Sequence, residues 1–322
     1  MKRDSLRIIF MGTPDFAVAT LKTLVDSDYD VVGVITAPDK PAGRGRQLNE
    51  SAVKKYATEH GLKVLQPTNL KHPDFIKELE ALDANLQIVV AFRMLPEVVW
   101  HMPKYGTFNL HASLLPNYRG AAPIHWAIVN GETVSGVTTF FIDEKIDTGA
   151  VILQEAIAIA NDETVGTLHD KLMVLGSTVV LKTVALIQEG DVTTTIQPKT
   201  EALKTAYKLD KDNCKIDWSL DLDTIYNKIR GLNPFPAAWC YLNNGEEHLS
   251  IKIFAIEKET FDHELDSGAL DISKHELKVA VIGGYITIKE IQLPGKRKML
   301  TKDLVNGYDF MPDAKMIVNP HA

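Results

Sequence analysis

The segment Phe108-Asn109-Leu110-His111 sets an amide and an imidazole two residues apart. In an extended strand successive side chains alternate between faces, so Asn109 and His111 point together while Phe108 and Leu110 face a buried side. A later stretch, Asp143-Glu144-Lys145-Ile146-Asp147-Thr148-Gly149, offers a carboxylate from a neighbouring loop. An amide, a base and an anion suit acyl transfer: a donor for a developing oxyanion, an acceptor for an amine proton, and a negative charge that orients the base. A lone histidine is usually structural, and it is the grouping that gives His111 a chemical reading. No cluster of residues with metal-ligand spacing accompanies it, so no metal is expected.

The elements that must position these groups follow from hydrophobic period. Strands are expected at Leu6–Met11, Val31–Thr36, Leu62–Gln66, Gln87–Phe92 and Gly106–His111, alternating with helical patterns at Phe16–Val25, Ala52–His60 and Phe75–Leu82. That alternation specifies an α/β fold with a doubly wound parallel sheet, in which ligands bind beyond the carboxyl ends of the strands. His111 would lie at such an end. Two more strands (Gly136–Ile142, Ala150–Ile157) precede a helix over Val165–Gln188, whose Leu168, Leu172, Leu175 and Val179 read as a core stripe. The Thr-rich stretch from Asp191 has no helical period and reads as a connector. Beyond a helix at Leu222–Ile229, short strands at Trp239–Leu242, Leu249–Ala255, Leu277–Val281 and Tyr285–Gln292 suggest a small β-barrel or sandwich. The expected division is a catalytic domain over 1–190, a linker over 191–206 and a C-terminal domain over 207–322.

Two loops bear on ligand class. Gly12-Thr13-Pro14 follows the first strand with a single glycine, so a dinucleotide fingerprint is missing, and Pro14 is expected at the first helical position. Pro38-Asp39-Lys40-Pro41-Ala42-Gly43-Arg44-Gly45-Arg46 is expected to form neither helix nor strand. It displays Lys40, Arg44 and Arg46 on a pliant loop suited to phosphate.

Composition sets the outer limits. The 322 residues are enough for two domains at ~150 residues each, and 45% apolar with 24% charged is the balance of a globular protein. Thirty-five Lys and Arg against 42 Asp and Glu leave −7, which excludes a general basic coat for nucleic acid or membrane. Two cysteines, Cys214 and Cys240, make no disulfide framework, and a reducing cytoplasm is expected. No signal-peptide core and no run near ~20 apolar residues is apparent, so no membrane contact is expected. Nothing points to an obligate protein partner.

Asn109-x-His111, then Ser113-Leu114-Leu115-Pro116-x-x-Arg119-Gly120-x-x-Pro123 and Asp147-Thr148-Gly149, resemble the signature of the folate-dependent formyltransferases. Gly12-Thr13-Pro14-Asp15-Phe16, the 38–46 loop, Ile216-Asp217-Trp218 and Asn233-Pro234-Phe235-Pro236 are similar to the branch of that family that acts on charged initiator tRNA. The resemblance runs nearly end to end. It implies a Rossmann-like domain followed by an OB-like barrel, and formyl transfer from 10-formyltetrahydrofolate to the amino group of methionine on initiator tRNA. It further implies catalysis by Asn109, His111 and Asp147, and a folate pocket formed by Phe92, Arg93, Met94, Leu95, Ser113, Leu114, Leu115, Pro116 and Asp143. Contact with the tRNA is implied for Lys40, Arg44 and Arg46.

The chain departs from the family's pattern at Ala91-Phe92-Arg93-Met94-Leu95-Pro96, where many relatives carry an extra residue and a Tyr-Gly pair. Residues 207–322 hold 15 Lys and Arg against 18 Asp and Glu, a balance of −3 in a domain expected to meet tRNA. Three rival readings are a formyltransferase for a small amine, a nucleotide-dependent dehydrogenase and a noncatalytic RNA-binding module. The basic loop and the barrel count against the first, the missing glycines against the second, and the paired Asn109 and His111 against the third.

Overall fold

A computed structural model describes residues 5–42, 47–198 and 203–319 of the chain. They form two compact units, one of 1–120, 135–157 and 169–205, the other of 121–134, 158–168 and 206–322. In chain order the elements up to the long helix are β1 (Arg7–Gly12), α1 (Asp15–Asp26), β2 (Asp30–Ile35), β3 (Lys40–Ala42), β4 (Gln47–Asn49), α2 (Ala52–Glu59) and β5 (Val64–Leu65). Then come α3 (Pro73–Glu80), β6 (Leu86–Val90), α4 (Glu97–Trp100), β7 (Thr107–His111), β8 (Arg119–Gly120), α5 (Pro123–Val129), β9 (Val134–Phe141), β10 (Val151–Ala158) and α6 (Val165–Glu189).

The first unit is built on a seven-stranded sheet of order β10-β9-β7-β6-β1-β2-β5. Strands β1, β2, β5, β6 and β7 run parallel, whereas β9 is antiparallel to β7. The reversal has a local cause. A parallel neighbour needs a crossover element packed on the sheet, and the helix between β7 and β9, α5, belongs to the second unit instead. The central strands are buried over most of their length, with Ile8, Phe10, Ile88 and Val90 all at 0% exposure, which is why they read as apolar runs.

Three local expectations need correction. Pro14 is the N-cap of α1 and not its first helical residue, its carbonyl accepting from the amide of Ala17 at 2.9 Å. The basic segment is not free of strand: β3 and β4 pair antiparallel, with Pro41 opposite Leu48. A two-stranded ribbon tolerates proline because one side of each strand needs no ladder partner. Arg44 and Arg46 lie outside the described residues, and Lys40 is exposed on β3. Finally, α6 does reach the length and composition of a membrane-crossing helix, with 25 residues and a mean hydropathy of 1.5 in an 18-residue stretch. Within the first unit its Gly176 lies directly against Leu110, and its Thr183 shares a 2.7 Å hydrogen bond with Thr139 of β9. Leu168, Leu172 and Val179 of the expected stripe are fully buried, and Leu175 is half-buried.

The second unit continues with β11 (Thr205–Ala206), α7 (Leu222–Arg230), β12 (Ala238–Asn244), β13 (Glu247–Ile253), β14 (Ile256–Thr260), β15 (Leu270–Ile272) and β16 (Leu277–Val281). It ends with β17 (Gly284–Ile288), β18 (Glu290–Gln292), β19 (Met299–Leu300), α8 (Thr301–Val305) and β20 (Lys315–Ile317). Two antiparallel sheets, β19-β18-β13-β12-β20 and β14-β17-β16-β15, supply one core with α7, centred on Trp218, Ile225, Ile229, Leu242, Ile251, Ile286 and Met316. The β12–β13 hairpin turns on Gly245, whose φ of +63° suits a residue without a Cβ. Packed on α7 is α5, with Ile124, Ala127 and Ile128 buried. The Arg230 guanidinium donates to the carbonyl of Glu163 at 2.8 Å and to that of Ala160 at 3.3 Å, tying 158–168 to the same unit.

Candidate active site

Strand β7 delivers the first two groups. Leu110 is buried against Gly176 of α6, so the alternation of the strand turns Asn109 and His111 to the other face of the sheet. The amide of Asn109 is half-buried and has no hydrogen-bond partner among the described residues, which leaves both of its donors available to a ligand. His111 is 6% exposed, and its Nε2 lies 2.8 Å from the carbonyl oxygen of Tyr118. A carbonyl only accepts, so Nε2 carries the proton and donates, and Nδ1 holds the free lone pair.

Nδ1 of His111 faces Oδ2 of Asp147 at 3.8 Å. That is too long for a hydrogen bond, so the carboxylate faces the ring without bonding to it. The ring is therefore oriented by the backbone of Tyr118, and the part left to Asp147 is electrostatic. Asp147 is itself fixed: Oδ2 accepts the amide of Gly120 at 3.0 Å.

How Asp147 arrives is less obvious. Because β9 is antiparallel, it leaves the sheet at Phe141 opposite Phe108, at the far end of β7 from His111. The 142–150 loop must double back, and it does so through Asp147 at φ 56° and a close turn at Gly149. A Cβ on Gly149 would stand 1.7 Å from the carbonyl oxygen of Phe141, so only glycine fits. Asp143 caps the same loop, its carboxylate accepting from the amide of Lys145 at 3.0 Å and the hydroxyl of Thr148 at 2.7 Å.

The other positions suggested by the sequence fall into two groups. Phe92, Arg93, Met94 and Leu95 follow the carboxyl end of β6, the strand paired with β7, so they flank the face that carries Asn109. Met94 is 66% exposed, whereas Leu95 is buried beside Val99. The guanidinium of Arg93 donates to the carbonyls of Thr68 and Pro67 and lies 5.6 Å from the Phe92 ring; burial holds its pKa below the usual value. Ser113, Leu114, Leu115 and Pro116 form the turn after β7. The Ser113 hydroxyl donates to the carbonyl of Asn117 at 2.8 Å, and Thr138 donates to that of Ser113 at 2.7 Å. Gln154 of β10 closes the brace by donating to the carbonyl of Leu115 at 2.7 Å. Tyr118, Thr138 and Gln154 thus hold the site although no motif announces them, whereas Gly120 does so from within the Arg119-Gly120 motif.

The basic ribbon is anchored at its base. Asp39, next to Lys40, accepts from the Lys54 ammonium of α2 and from Nε2 of Gln66 at 2.8 Å. The Lys54 hydrogen bond first, and Gln66 second, hold the Asp39 carboxyl below the ordinary carboxylate range. A depressed folded-state value means that the stabilisation is complete above the ordinary value and is lost as pH falls through the lowered one. In Lys54→Met the Asp39 midpoint should rise toward the ordinary carboxylate range, as read from carboxyl chemical shifts in an acid titration. An unmoved midpoint would leave Lys54 with no part in anchoring the ribbon.

Residues 6–184 match the formyl transferase family, and residues 208–309 match the C-terminal domain of formyl transferases. The chain belongs to the formyl transferase family. Relatives matched over nearly their full length include methionyl-tRNA formyltransferases: that of Flavobacterium johnsoniae is 59% identical over 97% of this chain and 99% of its own length. The Bacteroides fragilis enzyme is 51% identical over 98% of this chain and 99% of its own. The fold is shared with WlaRD, a sugar 3N-formyl transferase crystallised with dTDP and 5-N-formyl-THF, at a TM-score of 0.66 and 20% identity, covering 92% of this chain and 100% of that one.

Proposed function

We propose that this enzyme moves a formyl group from 10-formyltetrahydrofolate to the amino group of methionine on initiator tRNA, readying it for translation initiation. The observation that carries the reading is the unpartnered Asn109 amide on the same strand face as a His111 whose Nδ1 is free and faces Asp147 at 3.8 Å. Attack by the neutral amine forms a C–N bond and moves the carbonyl electrons onto oxygen, where the Asn109 amide donates. Nδ1 of His111 takes the ammonium proton, and Asp147 balances the charge that appears on the ring. Expulsion of the folate nitrogen breaks the old C–N bond, and the proton returned by His111 restores it as an amine. Phe92, Arg93, Met94 and Leu95, with the turns at 113–116 and at Asp143, are proposed to bound the folate pocket.

In this reading residues 1–190 carry the chemistry, 191–206 connect, and 207–322 meet tRNA. The net charge of the last segment is no obstacle, because cations gather locally: Lys211 and Lys215 lie 4.9 and 5.1 Å from the Trp239 ring, with Lys215 also 5.8 Å from that of Tyr241. Trp239 itself is buried, so what this surface offers is the two ammonium groups beside the half-buried Tyr241, which suits phosphate. The same reading places the protein in the cytoplasm with charged tRNA.

The test is to supply labelled 10-formyltetrahydrofolate with methionine on initiator tRNA, methionine on elongator tRNA, free methionine, or an amino-sugar nucleotide. Formylation of the first in strong preference is expected; selective formylation of the sugar amine would transfer the protein to the small-amine branch. The basic ribbon has its own check. Arg44→Ala should weaken tRNA binding by about 1–3 kcal/mol if it makes a charge-assisted phosphate contact. A lost phosphate contact also flattens the salt dependence, so wild-type affinity should fall more steeply with added salt than the variant's. Parallel slopes with equal affinities would leave Arg44 without a part in tRNA binding, and a loss of folate affinity alone would assign it to the folate pocket.

A further inference from the structure

Gln197 lies in the stretch between α6 and β11 that has no periodic signal, yet its side chain is 6% exposed and every polar position on it is used. Nε2 donates to the carbonyl of Asp147 at 3.0 Å and to that of Gly149 at 2.8 Å. Oε1 accepts from Nε and Nη2 of Arg119 at 3.2 and 2.6 Å. Two donors and two acceptor positions are the full capacity of a primary amide. A buried side chain satisfied to that degree has one geometry open to it.

The four bonds close a circuit. Arg119 is followed by Gly120, whose amide holds the carboxylate of Asp147, and the carbonyl of Asp147 is held in turn by Gln197. The backbone and the side chain of Asp147 are thus gripped from two directions by groups that are themselves joined. The grip is placed where the chain needs it, since Asp147 sits at φ 56°, a region that costs a residue with a side chain free energy unless its surroundings fix it. Gln197 is stationed by a pair of backbone hydrogen bonds two residues earlier, between Thr195 and Val151 at 2.8 and 2.9 Å. Its role does not include touching the substrate: its amide is spent on Asp147, Gly149 and Arg119.

We infer that Gln197 is a positioning residue for the carboxylate that faces His111, setting the Asp147–Gly149 turn against Arg119–Gly120. The inference rests on the reading above that Asp147 serves His111, and its test separates the two. Gln197→Glu is close to isosteric and keeps an oxygen for Arg119, but it gives up both donors and turns a carboxylate oxygen toward two carbonyls. In the folded variant kcat should fall roughly 10- to 100-fold, the scale of a misplaced catalytic group. The KM for folate and for charged tRNA should each stay within about twofold, because neither substrate is contacted.

A thermodynamic cycle with Asp147→Asn decides whether the effect runs through the carboxylate. Measured as kcat at 20 °C with the folded fraction set by circular dichroism, the double variant should be no slower than Asp147→Asn alone. Equal losses in the two backgrounds, or wild-type kcat in folded Gln197→Glu, would overturn the inference. Wild-type kcat in Asp147→Asn would instead overturn the role given to Asp147 itself. Should Gln197→Glu not fold, Gln197→Met keeps the length of the side chain without its polar atoms and enters the same cycle with the same outcomes.

Discussion

His111→Ala should lower kcat by about 100- to 10,000-fold, the range seen when a positioned acid or base is removed. Two features of the site argue for the upper part of that range. Nδ1 is the sole basic nitrogen of the ring, since Nε2 is committed to the carbonyl of Tyr118 at 2.8 Å. The gap of 3.8 Å to Asp147 also leaves the lone pair uncontested until an amine arrives. Deleting the ring removes one hydrogen bond to the Tyr118 carbonyl, at about 0.5–1.5 kcal/mol, which a domain of this size survives. Single-turnover formylation with both substrates saturating isolates the chemical step. A folded His111→Ala protein that turns over at the normal rate would remove the imidazole from the mechanism.

For Asn109→Ala a loss of roughly 100- to 1000-fold in kcat is expected, the measure of one oxyanion donor. Here the structure separates catalysis from stability. The backbone of Asn109 stays in register between Val89 and Phe140, and its side-chain amide holds nothing in the fold, so its removal orphans no partner. Thermal stability should match the parent, and folate affinity, measured by fluorescence, should change little. Retained kcat at saturation with a collapsed affinity would make Asn109 a binding group for the ground state.

The pair on β7 could be read from sequence because it depends only on the two-residue period of a strand that is buried on its other face. The order of alternating strands and helices was legible for the same reason. Asp147 needed the family resemblance, since Asp143, Glu144 and Asp147 are equivalent by composition and only the path of the loop separates a turn-capping carboxylate from the one that faces His111. Tyr118 contributes through its carbonyl and Gln197 through carbonyls far away in the chain, and a backbone acceptor leaves no signature in side-chain types. The direction of β9 was hidden because it depends on where α5 packs. In the C-terminal region Ile256–Thr260 lacks alternation and is largely exposed, while β15 and β20 have three residues each, too short for a period to register.

The discontinuity of the two units bears on inheritance and on laboratory dissection alike. The chain enters the second unit at 121–134 and again at 158–168 before committing to it after residue 206. No single scissors cut yields both units whole. A fragment ending in the connector carries α5 away from α7 and exposes Ile124, Ala127 and Ile128, while the complementary fragment loses the helix that covers α7. A gene encoding either half alone would thus specify a protein with a raw apolar face. An exchange of C-terminal regions between relatives is workable only if these two inserts travel with the region they pack against, so the halves of this enzyme are bound to be inherited together.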